Sequence, residues 1–397
     1  MSKKKVGGLR TWIEIERRAL RRNAEQFLKL IPARTRLMAV IKSNAYGHGL
    51  SLVAKELAGL RRTNISDLVS KETKSEIKQL WFGVDSIVEA LRLRKDRIKN
   101  PILVLGYTLP GRMSEAARDD IALTISGFDA LAALARARER PRIHIKIDTG
   151  MHRQGFLPPH IPRLIKELKW CGVVPEGVYT HFASAKDPDD PSYTLFQFKQ
   201  FRRIISSFRR SGFRRLVRHA AATGAALFFP ETHLDMVRIG IGLYGYWPSS
   251  ESRGTRHITR NRKILLKPVL TWKTLLSEVK SIPKGALVGY DGTEVAARKT
   301  TIAILPVGYW HGYDRGLSGI GKVLIRGRRA RVLGRVSMDM IAVDATGISG
   351  AKVGDEAVII GRQKRAALGA CEIAEKIGTT HYEMLTRINP LIRRVIV

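Results

Sequence analysis

Short β-rich apolar runs alternate with stretches of helical periodicity over about the first 240 residues, and this alternation constrains the fold more than any other feature. The runs are 36–42, 79–84, 102–105, 121–125, 143–148, 177–181, 216–220 and 236–241. Helical patterns fill most of the gaps, at 50–60, 86–94, 114–118, 129–138, 159–170 and 192–210, with a short piece at 224–228. A helix between successive strands is a crossover, and crossovers make strands parallel. Eight such units in about 230 residues predict an α/β fold with a (β/α)8 TIM-type barrel, an open doubly wound sheet being the alternative.

The pattern breaks near residue 250. The segment that follows is polar, rich in Ser and Arg, and without period, so 251–263 reads as a linker. Beyond it, β-rich runs at 269–276, 300–306, 322–325, 331–336, 340–343, 357–360 and 394–397 are punctuated by Gly and Pro, with one helical stretch at 366–376. The expected organisation is a barrel over 12–250, the linker, and a mostly β C-terminal domain over 264–397. Residues 1–11 are expected to associate with that domain, and the run 11–15 to pair with it. Residues 61–79 are polar and charged and read as an inserted loop or helix.

Composition excludes several classes. Apolar residues make up 44%, enough for a real core. No apolar run approaches the roughly 18 residues of a membrane span, and the basic N-terminus Met1-Ser-Lys-Lys-Lys-Val-Gly-Gly lacks the apolar run of a secretory signal. Two cysteines, Cys171 and Cys371, support neither a disulfide framework nor a Cys-based metal site, so no metal is expected and the compartment reads as cytoplasmic. The anomaly is charge: 70 Lys and Arg against 35 Asp and Glu give +35. The densest run, Arg202 to His219, interleaves Arg with apolar residues at helical spacing and reads first as a solvated helix face. No nucleic-acid motif accompanies it, so only non-specific polyanion binding is left to that charge.

The chemistry-bearing residues cluster at strand ends. The first barrel strand leads into Val40-Ile-Lys-Ser-Asn-Ala-Tyr-Gly-His-Gly-Leu50. A barrel builds its active site at the C-terminal ends of its strands, so Lys42 stands where a Schiff-base lysine would; a plain surface lysine is the alternative. Thr223-Gly224 and Gly240 to Gly242 follow strands seven and eight, where barrels commonly hold phosphate. A lysine that can form a Schiff base and a phosphate cradle together suggest pyridoxal phosphate.

The chain resembles the alanine racemases, fold-type III pyridoxal-phosphate enzymes, over nearly its whole length. The resemblance rests on Ala39-Val-Ile-Lys-Ser-Asn-Ala-Tyr-Gly-His-Gly49, Lys146-Ile-Asp-Thr-Gly-Met-His-Arg153, Thr180-His-Phe-Ala183 and Met236-Val-Arg-Ile-Gly-Ile-Gly242, in that order. Val288-Gly-Tyr290, Pro306-Val-Gly-Tyr309 and Gly334-Arg-Val-Ser-Met-Asp339 continue it. It implies racemisation of L- and D-alanine by two bases, supplying D-alanine for peptidoglycan, in a homodimer with shared active sites. Lys42 matches the cofactor-binding lysine and first base, and Tyr290, from the partner subunit, the second base. The cation Arg238 matches the residue facing the pyridine nitrogen, and His181 a residue near that tyrosine. Tyr46, Thr223, Gly240 and Ile241 match the phosphate set. Arg153 and the Met338 backbone match the holders of the substrate carboxylate, Lys146 a lysine that is carbamylated in many relatives, and Tyr309 and Asp339 the mouth of the site.

Three departures bear on substrate range. Pro390 stands where many relatives have Tyr, Ala222 where they have Asn, and His311, beside the bulky Trp310, where they have a carboxylate. The nearest rival function is a broader racemase for Ser, Lys or Arg. A non-catalytic pyridoxal-phosphate protein is the rival of another class, opposed by the presence of both the β domain and Tyr290.

Overall fold

The computed structural model describes residues 7–60, 80–249 and 264–397. The expected insertion and the expected linker lie outside the described residues. Strand β1 (Thr11–Ile15) comes first. Then β2 (Arg36–Val40), β3 (Trp81–Val84), β4 (Ile102–Val104), β5 (Ile121–Ile125), β6 (Ile143–Lys146), β7 (Gly177–Tyr179), β8 (Val217–His219) and β9 (Met236–Ile239) close into a parallel barrel. Closure is made by β9 against β2, with Met38 opposite Arg238. A parallel strand packed on both faces is apolar throughout. Accordingly every residue of β3 to β7 is buried. Side chains two apart share a face, so His144 and Lys146 of β6 lie on the same side of the barrel wall.

The helix Ser192–Arg210 buries Thr194, Gln197, Phe198, Phe201, Ile204 and Phe208, spaced by three and four, and leaves Arg202, Arg203, Arg209 and Arg210 exposed. This is the solvated face the sequence suggested, but it stops early. Gly212 takes φ +99, a conformation that ends the helix. Arg214 and Arg215 follow that break, and Arg218 lies in β8, where its guanidinium grips Asp235 at two points (2.6 and 2.9 Å).

The chain divides into two compact units. The barrel unit comprises Leu20–Ala45 and Val53–Lys267; the second unit comprises the chain up to Ala19, Tyr46–Leu52 and Pro268–Val397. In the second unit follow β10 (Leu270–Leu275), β11 (Glu278–Ile282), β12 (Leu287–Val288), β13 (Glu294–Val295), β14 (Thr300–Leu305) and β15 (Lys322–Ile325). After them come β16 (Arg328–Leu333), β17 (Ile341–Asp344), β18 (Glu356–Gln363), β19 (Ala366–Leu368) and β20 (Arg394–Ile396). A ten-stranded sheet runs β11-β14-β17-β16-β15-β18-β10-β1-β20, with β19 on β18. The N-terminal β1 lies between β10, antiparallel, and β20, parallel.

Two sequence expectations fail here. The helical stretch 366–376 splits, because Lys364 at φ +54 turns the chain back and Ala366–Leu368 pairs with β18; only Ala370–Lys376 is helical. Local helix propensity loses to strand pairing. Strand β11 was not anticipated: its residues are exposed or half-buried, so it shows no apolar alternation. A second helix, His381–Thr386, also went unread.

Candidate active site

Beyond β2 the chain makes a left-handed turn. Ser43, Asn44, Ala45 and Tyr46 take φ values of +52 to +55. For residues with a Cβ this costs about 1–2 kcal/mol each, so the turn must be held. Ala45 N donates to Ile41 O (2.8 Å). The Glu89 carboxylate accepts from Asn44 N (3.1 Å) and from Asp85 N (2.8 Å). Ser86 caps the helix Ile87–Lys95, and its Oγ accepts from Glu89 N. The Ser86-Ile-Val-Glu89 spacing is a capping-box signature; it could have pointed to Glu89. Lys42 is half-buried, and its Nζ lies 3.3 Å from Asp85 Oδ1, a partner the sequence reading missed.

Arg238 is the buried centre of the barrel site. Its Nη2 donates to Thr180 O (2.7 Å), Ala220 O (2.8 Å) and His181 Nδ1 (3.2 Å), and its Nη1 to His219 Nδ1 (3.0 Å). Every one of these acceptors is neutral. Burial lowers the guanidinium to about 10, so it stays cationic at neutral pH. An arginine only donates, so His181 Nδ1 is bare. Burial first, then the neighbouring cations Arg238, Arg153, Lys146 and Lys42, push His181 down to about 3. His181 is therefore a neutral acceptor.

Lys146 is buried and donates to Gln154 Oε1 (3.0 Å). Burial, followed by Arg153, Arg238 and Lys42, brings it down to about 8. The loop after β6 is organised by Asp148, whose carboxylate accepts from the backbone N–H groups of Gly150, Met151, His152 and Arg153 (2.9–3.0 Å). This fixes the start of the exposed Arg153 side chain. On the opposite wall Thr223 Oγ1 accepts from Gly240 N (3.2 Å) and Gly242 N (3.4 Å). The Gly240 N–H, expected as a phosphate donor, thus braces its own loop. A Cβ on Gly242 would stand 2.5 Å from the Phe27 ring and 2.8 Å from Thr223 Cγ2, so the loop requires glycine there.

His144 corrects the sequence reading. Although it shares the short run 143–148 with the site residue Lys146, it contacts Glu176, the residue before β7, and so belongs to the opposite end of the barrel.

In the second unit, Tyr46 lies beside Tyr382 (ring centroids 6.3 Å), and burial raises the Tyr46 phenol to about 12, so it remains a donor. Tyr382 was not singled out from sequence. Tyr290 sits between β12 and β13 and is 69% exposed, with the next residue, Asp291, paired to Arg335 (3.0 Å). Three loops are knit together. Tyr309 N and Trp310 N donate to Ser337 O and Met338 O (3.0 and 3.1 Å). Asn389 donates to Trp310 O and His311 O (3.0 and 3.1 Å), which brings Pro390 alongside them. Asp339 Oδ1 stands 4.0 Å from His311 Nδ1. The expected mouth residues and two of the departures therefore form one cluster.

The donor set fits pyridoxal phosphate. Lys42 presents a half-exposed amine at a strand end, Thr223 and the Gly240–Gly242 turn form a small polar cradle after β8 and β9, and Lys146, Arg153 and Arg238 add positive charge near His181. Fold and site together define a (β/α)8-barrel enzyme of the pyridoxal-phosphate type with a C-terminal β domain. Residues 15–69 and 69–248 match the family "Alanine racemase, N-terminal domain", and residues 269–396 match "Alanine racemase, C-terminal domain". The chain is 36% identical over 391 residues to the alanine racemase of Leptospira interrogans serovar Lai, covering 98% of this chain and 96% of the relative. It is 37% identical over 390 residues to that of Desulforamulus reducens (97% and 98% covered). Among solved structures it is similar to the Bacillus anthracis alanine racemase with bound L-Ala-P, at TM-score 0.86 and 31% identity, with 98% and 95% covered. The enzyme from D-cycloserine-producing Streptomyces lavendulae gives 0.84 and 34%, with 98% and 97% covered. The chain belongs to the alanine racemase family: it is a pyridoxal-phosphate-dependent isomerase that interconverts L- and D-alanine.

Proposed function

We propose that racemisation here uses two bases on opposite faces of the substrate, Lys42 on one and Tyr290 of a second copy on the other. The position of Lys42 at the end of β2, its Nζ half-exposed and 3.3 Å from Asp85, together with the exposure of Tyr290 on the β unit, supports this reading. Bound pyridoxal phosphate supplies an electron sink that makes the substrate α-proton acidic. Lys42 would hold it covalently through Nζ, and Tyr46, Thr223 and the Ile241 backbone would hold its phosphate, with the Gly240 N–H bracing that loop through Thr223 Oγ1. Arg238, facing the pyridine nitrogen, donates but cannot take up a proton from it. Because Arg238 would leave that nitrogen without a partner able to keep it protonated, it would weaken the sink and favour proton return over side reactions such as transamination. Arg153 and the Met338 backbone orient the carboxylate. Tyr309 and Asp339 limit what enters.

Proton transfer runs from the α-carbon to one base, with return from the other base to the opposite face. Each positioned base is worth roughly 10²–10⁴-fold. A carbamate on Lys146 turns a cation crowded by three others into an anion able to orient Arg153. With Lys146 lowered to about 8, about one amine in ten is free at pH 7 to react with carbon dioxide.

The exposure of Tyr290 supports a shared site in a homodimer. Leu287, Val295, Met338, Met340 and Trp310 are exposed on the same unit, an apolar supply for an interface. No helix among the described residues is long and apolar enough to cross a membrane. A cytoplasmic enzyme supplying D-alanine for peptidoglycan is the physiological role we assign. The test is chiral analysis of each L-amino acid incubated in D2O with holoenzyme and, in parallel, with Lys42→Ala. L-Alanine converted to α-deuterated D-alanine by the wild type alone is the expected result. Conversion to D-alanine that survives in Lys42→Ala refutes Lys42 as a base; α-exchange without inversion there is what Tyr290 alone would give. Faster conversion of Ser, Lys or Arg means that Pro390 and its neighbours have widened the site.

A further inference from the structure

A chain of hydrogen bonds leaves Arg238 and crosses the barrel interior to its other end. Arg238 Nη1 donates to His219 Nδ1 (3.0 Å). His219 Nε2 lies 2.8 Å from His144 Nδ1. His144 Nε2 faces Glu176 Oε2 at 3.4 Å, an electrostatic contact without hydrogen-bond geometry, and neither of these two buried atoms has a hydrogen-bond partner. Glu176 Oε1 accepts from Arg142 Nη1 (2.9 Å). Both imidazoles are fully buried.

The direction of this chain follows from its ends. Arginine only donates, so His219 Nδ1 is bare and Nε2 carries the proton. That proton points at His144 Nδ1, which must also be bare, so His144 carries its proton on Nε2, facing the carboxylate. A proton added to His144 would sit on Nδ1 and meet the His219 N–H; His219 could then accept it only by turning an N–H toward Arg238. Each ring therefore has one permitted tautomer, and both are neutral. The charged groups around the pair are Arg238 beside His219, and Arg142, Arg36 and Glu176 beside His144.

We propose that His144 and Glu176 are positioning residues for racemisation: through His219 they fix the orientation of Arg238 without neutralising it. This rests on the assignment of Arg238 to the pyridine nitrogen. A carboxylate in direct contact with Arg238 would fix it too, but would cancel the charge presented to the ring. Two neutral rings between cation and anion separate orientation from charge. Cooperative polarisation along the chain makes His219 Nδ1 a better acceptor. The packing is built around the rings. Tyr179 stacks on His219 (4.6 Å, 12°), and Trp81 meets His144 edge-on (5.6 Å). Gly177 leaves the gap for His144: a Cβ there would stand 2.3 Å from His144 Nδ1.

The experiment combines histidine 15N NMR with steady-state kinetics on holoenzyme. In the wild type, His144 and His219 should both be neutral with protonated Nε2, and should not titrate between about pH 6 and 9. Glu176→Ala leaves the His144 Nε2–H facing no acceptor; it should shift the His144 and His219 15N resonances without changing their tautomers, which Arg238 dictates, and lower kcat about ten-fold or more, the cost seen when an orienting outer-shell partner is lost at metal sites, with KM for alanine unchanged. Glu176→Gln keeps an acceptor oxygen and should retain both tautomers and most of kcat. A protonated Nδ1 on either wild-type ring overturns the proposal, and that observation needs no variant to fold. Wild-type 15N resonances and kcat in Glu176→Ala overturn it as well. Shifted resonances with unchanged kcat overturn the link to catalysis. Failure of the two-base reading is seen separately, as racemisation that persists in Lys42→Ala.

Discussion

Asp148→Asn tests whether the loop carrying Arg153 is held by charge. The wild-type Oδ1 accepts from Gly150, Met151 and His152 (2.9, 2.9 and 3.0 Å) and Oδ2 from Arg153 (3.0 Å). Asparagine keeps one carbonyl oxygen. Placed at Oδ1, it retains three bonds as neutral ones and turns its amide toward the Arg153 N–H, donor against donor. A bond to a charged acceptor is worth roughly 1.5–3 kcal/mol and a neutral one about 1. Three weakened bonds and one lost amount to at least about 3 kcal/mol, part of it recovered by water at the exposed end of the loop. For a unit of this size the melting temperature should fall by about 4–10 °C. With Arg153 loosened, kcat/KM for alanine should fall at least ten-fold.

The pH dependence supplies a sign. Burial raises the Asp148 carboxyl, but the four backbone N–H groups outweigh it and hold it below the usual range. Its stabilisation is therefore complete above the unfolded value of about 3.9 and is lost as pH falls through the lower folded value. The stability gap between wild type and Asp148→Asn should be constant from about pH 9 to 5 and close below about 4. Calorimetric scans across this range check it. A gap of under about 1 kcal/mol at pH 7, or one that widens in acid, refutes the assigned role of the carboxylate.

Unmodified Lys146 titrates at about 8 in the fold against 10.5 in the unfolded chain, so the folded state binds fewer protons between these values and stability rises with pH across them. Lys146→Met should be more stable than the unmodified wild type by about 3 kcal/mol at pH 7 and lose that advantage by about pH 10.5. Against a wild type heavier by one carbon dioxide in intact mass, Lys146→Met would have no such advantage. Asp85→Asn removes the carboxylate beside Lys42 Nζ, which must be released for cofactor attachment. Because half-exposed pairs are worth about 0–1 kcal/mol, pyridoxal phosphate should bind tighter by less than about five-fold, read by absorbance titration. Gly242→Ala forces a Cβ against Phe27 and Thr223. It should cost about 1–3 kcal/mol of stability and weaken the cofactor more than ten-fold; unchanged cofactor affinity would count against the assigned phosphate cradle.

Much of this protein is readable along the chain. The eight barrel strands are short and buried on both faces, so they stand out as apolar runs between helices, and the motif around Lys42 marks its own strand end. The strand β11 was hidden because exposure removes the alternation that identifies a strand, and 366–368 because an Ala-rich segment looks helical until a partner strand is present. Site residues divide in the same way. Lys42, Lys146, Arg153, His181 and Arg238 are legible because each sits in a local motif at a strand end. Asp85, Glu89 and Glu176 are ordinary acids in sequence. Only the barrel brings Asp85 to Lys42 across 43 positions and His219 to His144 across 75. The sequence by itself determined which groups can donate, accept or carry charge, since these are properties of each residue. The tertiary structure decided which are neutral, which tautomer they hold and which charges are left uncompensated, because those depend on burial and on neighbours distant in sequence.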